Sequence, residues 1–158
     1  METKICSFFG HSEIEKTPEL ISATTNAINK AIEFGCRTFY FGGFGEFDEL
    51  CYQIVSQIQA ENPKLNLERI YCTTQERLVK KIQRNPNYKT YEQIIYLTPS
   101  FDGWYKSIYF RNCAMIDNSC YVIFFVQRQE NSGAFKALKY ATKRKDLTIV
   151  NVYNLLQE

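Results

Sequence analysis

The chain has 158 residues, six cysteines, 15% aromatic residues and a formal net charge of only +2. That length suits one domain with a single sizeable core, and the aromatic content argues against a disordered tail. A near-neutral chain without a broad basic face argues against nonspecific nucleic-acid binding, and the longest apolar run, Cys120 to Val126, is far too short to span a membrane.

Lys4 to Phe9 reads as a short apolar strand ending at Gly10-His11-Ser12. A helix follows, with Thr17 as N-cap, Pro18 at the first helical position and Glu19 in the first turn. Leu20, Ile21, Thr24, Ala27, Ile28, Ala31 and Ile32 keep a 3.6-residue period, and Gly35 closes the helix. Residues 37–41 form the second strand. Phe47, Leu50, Cys51, Ile54, Val55 and Ile58 mark an amphipathic helix ended by Asn62-Pro63. Leu67 to Cys72 reads as a third strand, Gln75 to Gln83 as a short helix and Gln93 to Leu97 as a fourth strand. Pro99 to Gly103 is turn chemistry, and helix is favoured from Trp104 to about Ile116. Tyr121 to Val126 is the fifth strand. A loop with Ser132 and Gly133 leads to a helix running through Lys145, and Thr148 to Val152 is the last strand.

This alternation predicts an α/β fold over residues 1–158: a Rossmann-like, three-layer αβα domain with a mainly parallel, doubly wound sheet. Ligands in such sheets bind at the carboxyl ends of the strands, near the point where strand order reverses. His11, the Gly42–Asp48 turn, Pro99 and the Ser132-Gly133 loop all follow strand ends. Phe39 to Phe41 is a buried-strand run that stops at Gly42-Gly43-Phe44-Gly45 and passes into a helical pattern. Glycines permit a sharp turn and close approach to a ligand, and free N–H groups at a helix start favour an anion. The cysteines are scattered without C-x-x-C spacing, and Met1-Glu2-Thr3-Lys4 lacks a basic-then-apolar leader pattern. Both point to reduced, buried thiols in a cytoplasmic protein. His11 is the only histidine, so no metal site is expected.

Four pieces stand at these elements: Phe9-Gly10-His11, Gly42-Gly43-Phe44-Gly45-Glu46-Phe47-Asp48, Arg111-Asn112-Cys113-Ala114-Met115-Ile116-Asp117 and Asn131-Ser132-Gly133. Together, over about Lys4 to Val152, they resemble the SLOG superfamily, the Rossmann-like fold of the Smf/DprA proteins and the LOG-type phosphoribohydrolases. The resemblance is strongest to its small YpsA-like branch, which shows a Gly-His pair, a Gly-Gly-x-x-Gly-Phe-Asp-like turn and an Arg-Asn-x-x-Met helix. It implies a site for a nucleotide or nucleotide-derived ligand, with phosphate on the glycine turns and the helix N-terminus. The residues implied are Gly10, His11, Gly42, Gly43, Gly45, Asp48, Arg111, Asn112, Ser132 and Gly133; no cofactor is implied.

One departure bears on activity. LOG-type hydrolases pair the helix arginine with a glutamate in a later Pro-Gly-Gly-x-Gly-Thr-x-x-Glu turn, and here Ala137 stands about where that glutamate belongs. An alanine neither steadies an oxocarbenium-like transition state nor positions water. The expectation is therefore a binding module, a sensor or sequestering protein. The alternative is an N-glycoside hydrolase or deoxyribosyltransferase-like enzyme using Asp48 or Glu46 with Arg111. A nucleic-acid-processing accessory role is the weaker third.

Each residue also has a plain structural reading. Arg111 suits phosphate recognition or a salt bridge to Asp117 or another nearby carboxylate. His11 fits a ligand contact, a general acid or a hydrogen-bonded turn residue. Glu46 and Asp48 sit where a helix dipole favours carboxylates in any case. Trp104, Tyr105, Ile108 and Tyr109 form an aromatic patch at helical spacing, suited to core, to base stacking or to a homo-oligomer contact. Lys143-Arg144-Lys145 reads as a solvated helix C-terminus.

Overall fold

Among the described residues, short runs of aromatic and β-branched residues supply six strands, and all of them pair in parallel. A computed structural model describes residues 3–74, 90–97, 104–127 and 132–157. The strands are β1 (Ile5–Gly10), β2 (Thr38–Phe41), β3 (Glu68–Thr73), β4 (Gln93–Tyr96), β5 (Tyr121–Phe125) and β6 (Thr148–Asn151), in the spatial order β4-β3-β2-β1-β5-β6. Helices α1 (Pro18–Phe34), α2 (Glu46–Glu61), α3 (Trp104–Asp117), α4 (Gly133–Ala141) and α5 (Val152–Leu156) cover it. The result is the expected three-layer, Rossmann-like α/β fold. The expected helix at Gln75–Gln83 and the turn at Pro99–Gly103 lie outside the described residues.

The period-2 alternation of the strands sorts the core into two layers. Cys6 and Phe8 of β1, Phe39 and Phe41 of β2, and Ile123 and Phe125 of β5 pack with α1, α2 and α5. Phe9, Tyr40, Val122 and Phe124 point the other way and pack with Met115 and Ile116 of α3 and Ala134, Ala137 and Ala141 of α4. Three alanines on α4 keep that side thin, so α3 and α4 sit close together over the sheet.

The caps of α1 follow the sequence reading. Thr17 Oγ1 accepts from the Leu20 amide at 3.1 Å, and Gly35 ends the helix at φ 113°. Most strand ends fall within one residue of the reading, and two differences have identifiable partners. Helix α4 stops at Ala141, not Lys145. The Lys143 and Arg144 backbone amides donate to the Tyr140 and Ala141 carbonyls in tight turns. Arg144 pairs with Asp117 and lies over the Tyr140 ring, so Lys143 to Lys145 lie beyond the helix rather than in its last turn. Strand β6 stops at Asn151, where a short helix that the sequence reading missed begins. Asn151 Oδ1 accepts from Tyr153 N and from Val126 N, and its Nδ2 donates to Val126 O.

All six cysteines are unpaired thiols, and five of them are buried. Cys36 Sγ lies 3.8 Å from Cys120 Sγ, and burial together with that neighbour pushes the Cys36 thiol up to about 12. A raised value means that the fold favours the neutral thiol. Its stabilisation is complete below the ordinary thiol value of about 8.5 and is lost as pH climbs from there toward 12. Native protein at about pH 8.5 should therefore leave Cys36 unmodified by iodoacetamide, while urea-unfolded protein labels it readily. Equal labelling rates by peptide mass spectrometry would contradict that burial.

Candidate functional site

Sheet order reverses between β1 and β5, which are paired from Cys6↔Tyr121 to Gly10↔Phe125. Successive crossovers diverge to opposite faces there, which leaves a crevice beyond the strand ends. A cavity of about 930 Å³ occupies it. Gly10, His11, Gly42, Gly43, Asp48, Arg111, Asn112, Ser132 and Gly133 all line it. Gly45 and Glu46 are not on its wall. Glu46 Oε1 accepts from the Ile14 amide at 2.9 Å, tying down the segment after β1, and a Cβ on Gly45 would stand 3.0 Å from Ser12 Cα.

The turn after β2 is held from three sides. The Gly42 amide donates to Asp48 Oδ1 at 3.1 Å, and the Gly42 carbonyl accepts from Arg111 Nη1 at 3.0 Å. Gly43 has φ 75°, and a Cβ there would come within 1.9 Å of Tyr71 Cε2, so backbone conformation and space both demand glycine. The first amides of α2 are already engaged: Glu46 N donates to Ser12 O at 2.9 Å and Phe47 N to His11 O at 3.4 Å. With Glu46, Asp48 and Glu49 in its first turn, this helix start is a poor anion pole, contrary to the expectation of free N–H groups there.

Arg111 is 8% exposed, and its fork is organised by protein groups. Nη1 also donates to Cys72 O at 3.2 Å, while Nε and Nη2 both donate to Asn112 Oδ1, at 3.2 and 2.9 Å. Burial lowers its pKa, opposed by the nearby Cys72, Tyr71 and Asp48. The expected alternative of a salt bridge to Asp117 does not occur, because Asp117 is engaged by Arg144 and Tyr140. Four of the five guanidinium N–H groups are thus used. The second Nη2 hydrogen and the Asn112 side-chain NH₂ have no partner among the described residues, and both residues line the cavity.

Helix α4 offers the opposite electrostatics to α2. Ser132 Oγ accepts from Phe135 N at 3.1 Å as the N-cap, and the first turn carries no acidic residue. The Gly133 and Ala134 amides have no partner among the described residues, and nothing lies within 4 Å of a Cβ on Gly133. Across the crevice, His11 Nε2 accepts from the Gln127 amide at 3.1 Å, which stitches β1 to the end of β5 and requires the ring proton on Nδ1. Ala137, at 1% exposure, is sealed in the core and does not line the cavity.

Several wall residues escaped the sequence reading. Tyr71 lies within β3 and Thr74 just after it, while Tyr153 and Leu156 come from α5 and Gln157 from just beyond it. Only the position of Thr74, directly after a strand, carried a signal; a five-residue helix has too few turns to show a period. Trp104 and Tyr105 have no described side chains, while Ile108 and Tyr109 are half-buried.

Fold and site together define a Rossmann-like α/β domain with a cavity at its switch point. No protein-family model matches the chain, and no curated protein matches it. Among the described residues no helix is long and apolar enough to cross a membrane, and no cluster of three or more His, Cys, Asp or Glu is arranged to hold a metal ion.

Proposed function

We propose that this protein binds a phosphorylated nucleotide or nucleotide-derived ligand in the switch-point cavity, as a sensor or sequestering module of SLOG type. The observation that carries the reading is the convergence on one cavity of unused donors: Arg111 Nη2, the Asn112 amide, and the first two amides of α4. A helix start without carboxylates that shares a cavity with a guanidinium is a phosphate environment. The phosphate accordingly goes to the Ser132–Ala134 helix start, and the glycine turn after β2 faces the sugar and base.

Asp48 is the one catalytic candidate on the cavity wall. Its Oδ1 is committed to the Gly42 amide, and no carboxylate occupies position 137, so binding is favoured over glycosidic cleavage. Calorimetric titration with nucleoside 5′-monophosphates and their parent nucleosides tests the reading. The monophosphates should bind at least about tenfold more tightly, as one charge-assisted contact is worth about 1.5–3 kcal/mol. Equal affinities, or binding of neither, would sink it. Free base should not accumulate in the same mixtures. Assembly through α3, where Phe110 is 41% exposed, belongs to the same reading, and a monomer by light scattering at micromolar concentration would remove that part.

A further inference from the structure

Phe44 stands out as a side chain that folding alone does not explain. It is 73% exposed, the most exposed of the large apolar residues described, yet it lies between two glycines at φ 75° and 97° and on the rim of the cavity. The backbone that presents it is fixed. Gly43 rests against the Tyr71 ring, Gly45 against Ser12, and Gly42 is pinned by Asp48 and Arg111. A turn tip usually carries a small or polar residue, and an aromatic ring left in water forgoes its burial energy.

We infer that Phe44 is the base-stacking platform of the site and acts as its gatekeeper for ring-bearing ligands. The inference rests on the nucleotide reading above and adds the subsite that reads the base. The phosphate donors of Arg111, Asn112 and α4 and the rim ring of Phe44 border the same cavity, so a ligand anchored by its phosphate can extend its base toward the rim. An aromatic face accepts any base, so this subsite selects for the presence of a base rather than for its identity.

The test uses the four common nucleoside 5′-monophosphates and ribose 5-phosphate, which keeps the anchor and lacks the base. Phe44→Ala should weaken every monophosphate by about tenfold, the scale of one lost stacking contact, and leave ribose 5-phosphate within about twofold of wild type. Phe44→Tyr should restore monophosphate binding. Because Phe44 is exposed, both variants should fold, and matched urea midpoints verify it. Monophosphate affinities unchanged in Phe44→Ala, or a matching loss for ribose 5-phosphate, would overturn the platform. Wild-type protein that binds ribose 5-phosphate as tightly as the monophosphates also overturns it while leaving the phosphate site standing. Wild-type protein that binds none of the five compounds overturns both readings.

Discussion

Gly10→Ala should destabilise the protein by about 2–3 kcal/mol, although it adds a single methyl group at a strand end. A Cβ at Gly10 would stand 2.4 Å from Phe47 Cδ2 and 2.6 Å from Phe47 Cβ. Phe47 has no exposed surface and stacks on Phe125 at 5.7 Å, so its ring has nowhere to withdraw. Close-packed interiors answer such an intrusion with backbone shifts. Here the shift would separate the end of β1 from the start of α2, the two elements that frame the cavity. Reduced unfolded-state entropy from Gly→Ala returns only about 0.4–1 kcal/mol. The expected signature is non-additive. Phe47→Leu alone should cost stability by leaving space, whereas Gly10→Ala with Phe47→Leu should be more stable than the two single losses predict. Urea denaturation of the four proteins measures the coupling. A loss below about 0.5 kcal/mol for Gly10→Ala, typical of an uncrowded surface change, would mean that this contact does not hold β1 against α2.

The same pair of elements illustrates what was legible in the sequence. Strand and helix identities follow from local periodicity: the 3.6-residue spacing of Leu20, Thr24, Ala27, Ile28 and Ala31 matches their burial in α1. The Gly-rich turn after β2 was legible for a similar reason, since only glycine accepts the backbone at 43. The use of the turn was not. Whether Glu46 and Phe47 amides are free depends on Ser12 and His11, more than thirty residues earlier, and nothing local to the turn records that pairing. The end of α4 was misplaced because Arg144 is drawn off by Asp117, 27 residues away. Asn151 likewise ends β6 through bonds to Val126. Propensity is a weak prior wherever such distant partners decide. Arg111 was legible as a candidate for phosphate recognition or a salt bridge, but its hold on the turn through backbone carbonyls is visible only in its four bonds.

Arg111→Ala should have two separable effects, and their separation decides what the residue does. The first is structural: Gly42 O, Cys72 O and Asn112 Oδ1 all lose their guanidinium donors, with an expected destabilisation of about 2–4 kcal/mol. Arg111→Lys should recover part of it, because an ammonium keeps the charge but cannot span acceptors in the turn after β2, on β3 and on its own helix with a rigid planar fork. The second effect is on the ligand. If the spare Nη2 hydrogen meets a phosphate, Arg111→Ala should lose about tenfold or more of the preference for a nucleoside monophosphate over its nucleoside. Nucleoside affinity, corrected for the folded fraction, should stay nearly constant. Arg111→Lys should keep an intermediate preference, since charge survives where geometry does not. Titrations at low temperature, where both variants remain folded by circular dichroism, keep the two effects apart. Equal losses for monophosphate and nucleoside would mean that Arg111 only props up the turn, and the phosphate would then depend on the Asn112 side-chain amide and the backbone amides of Gly133 and Ala134.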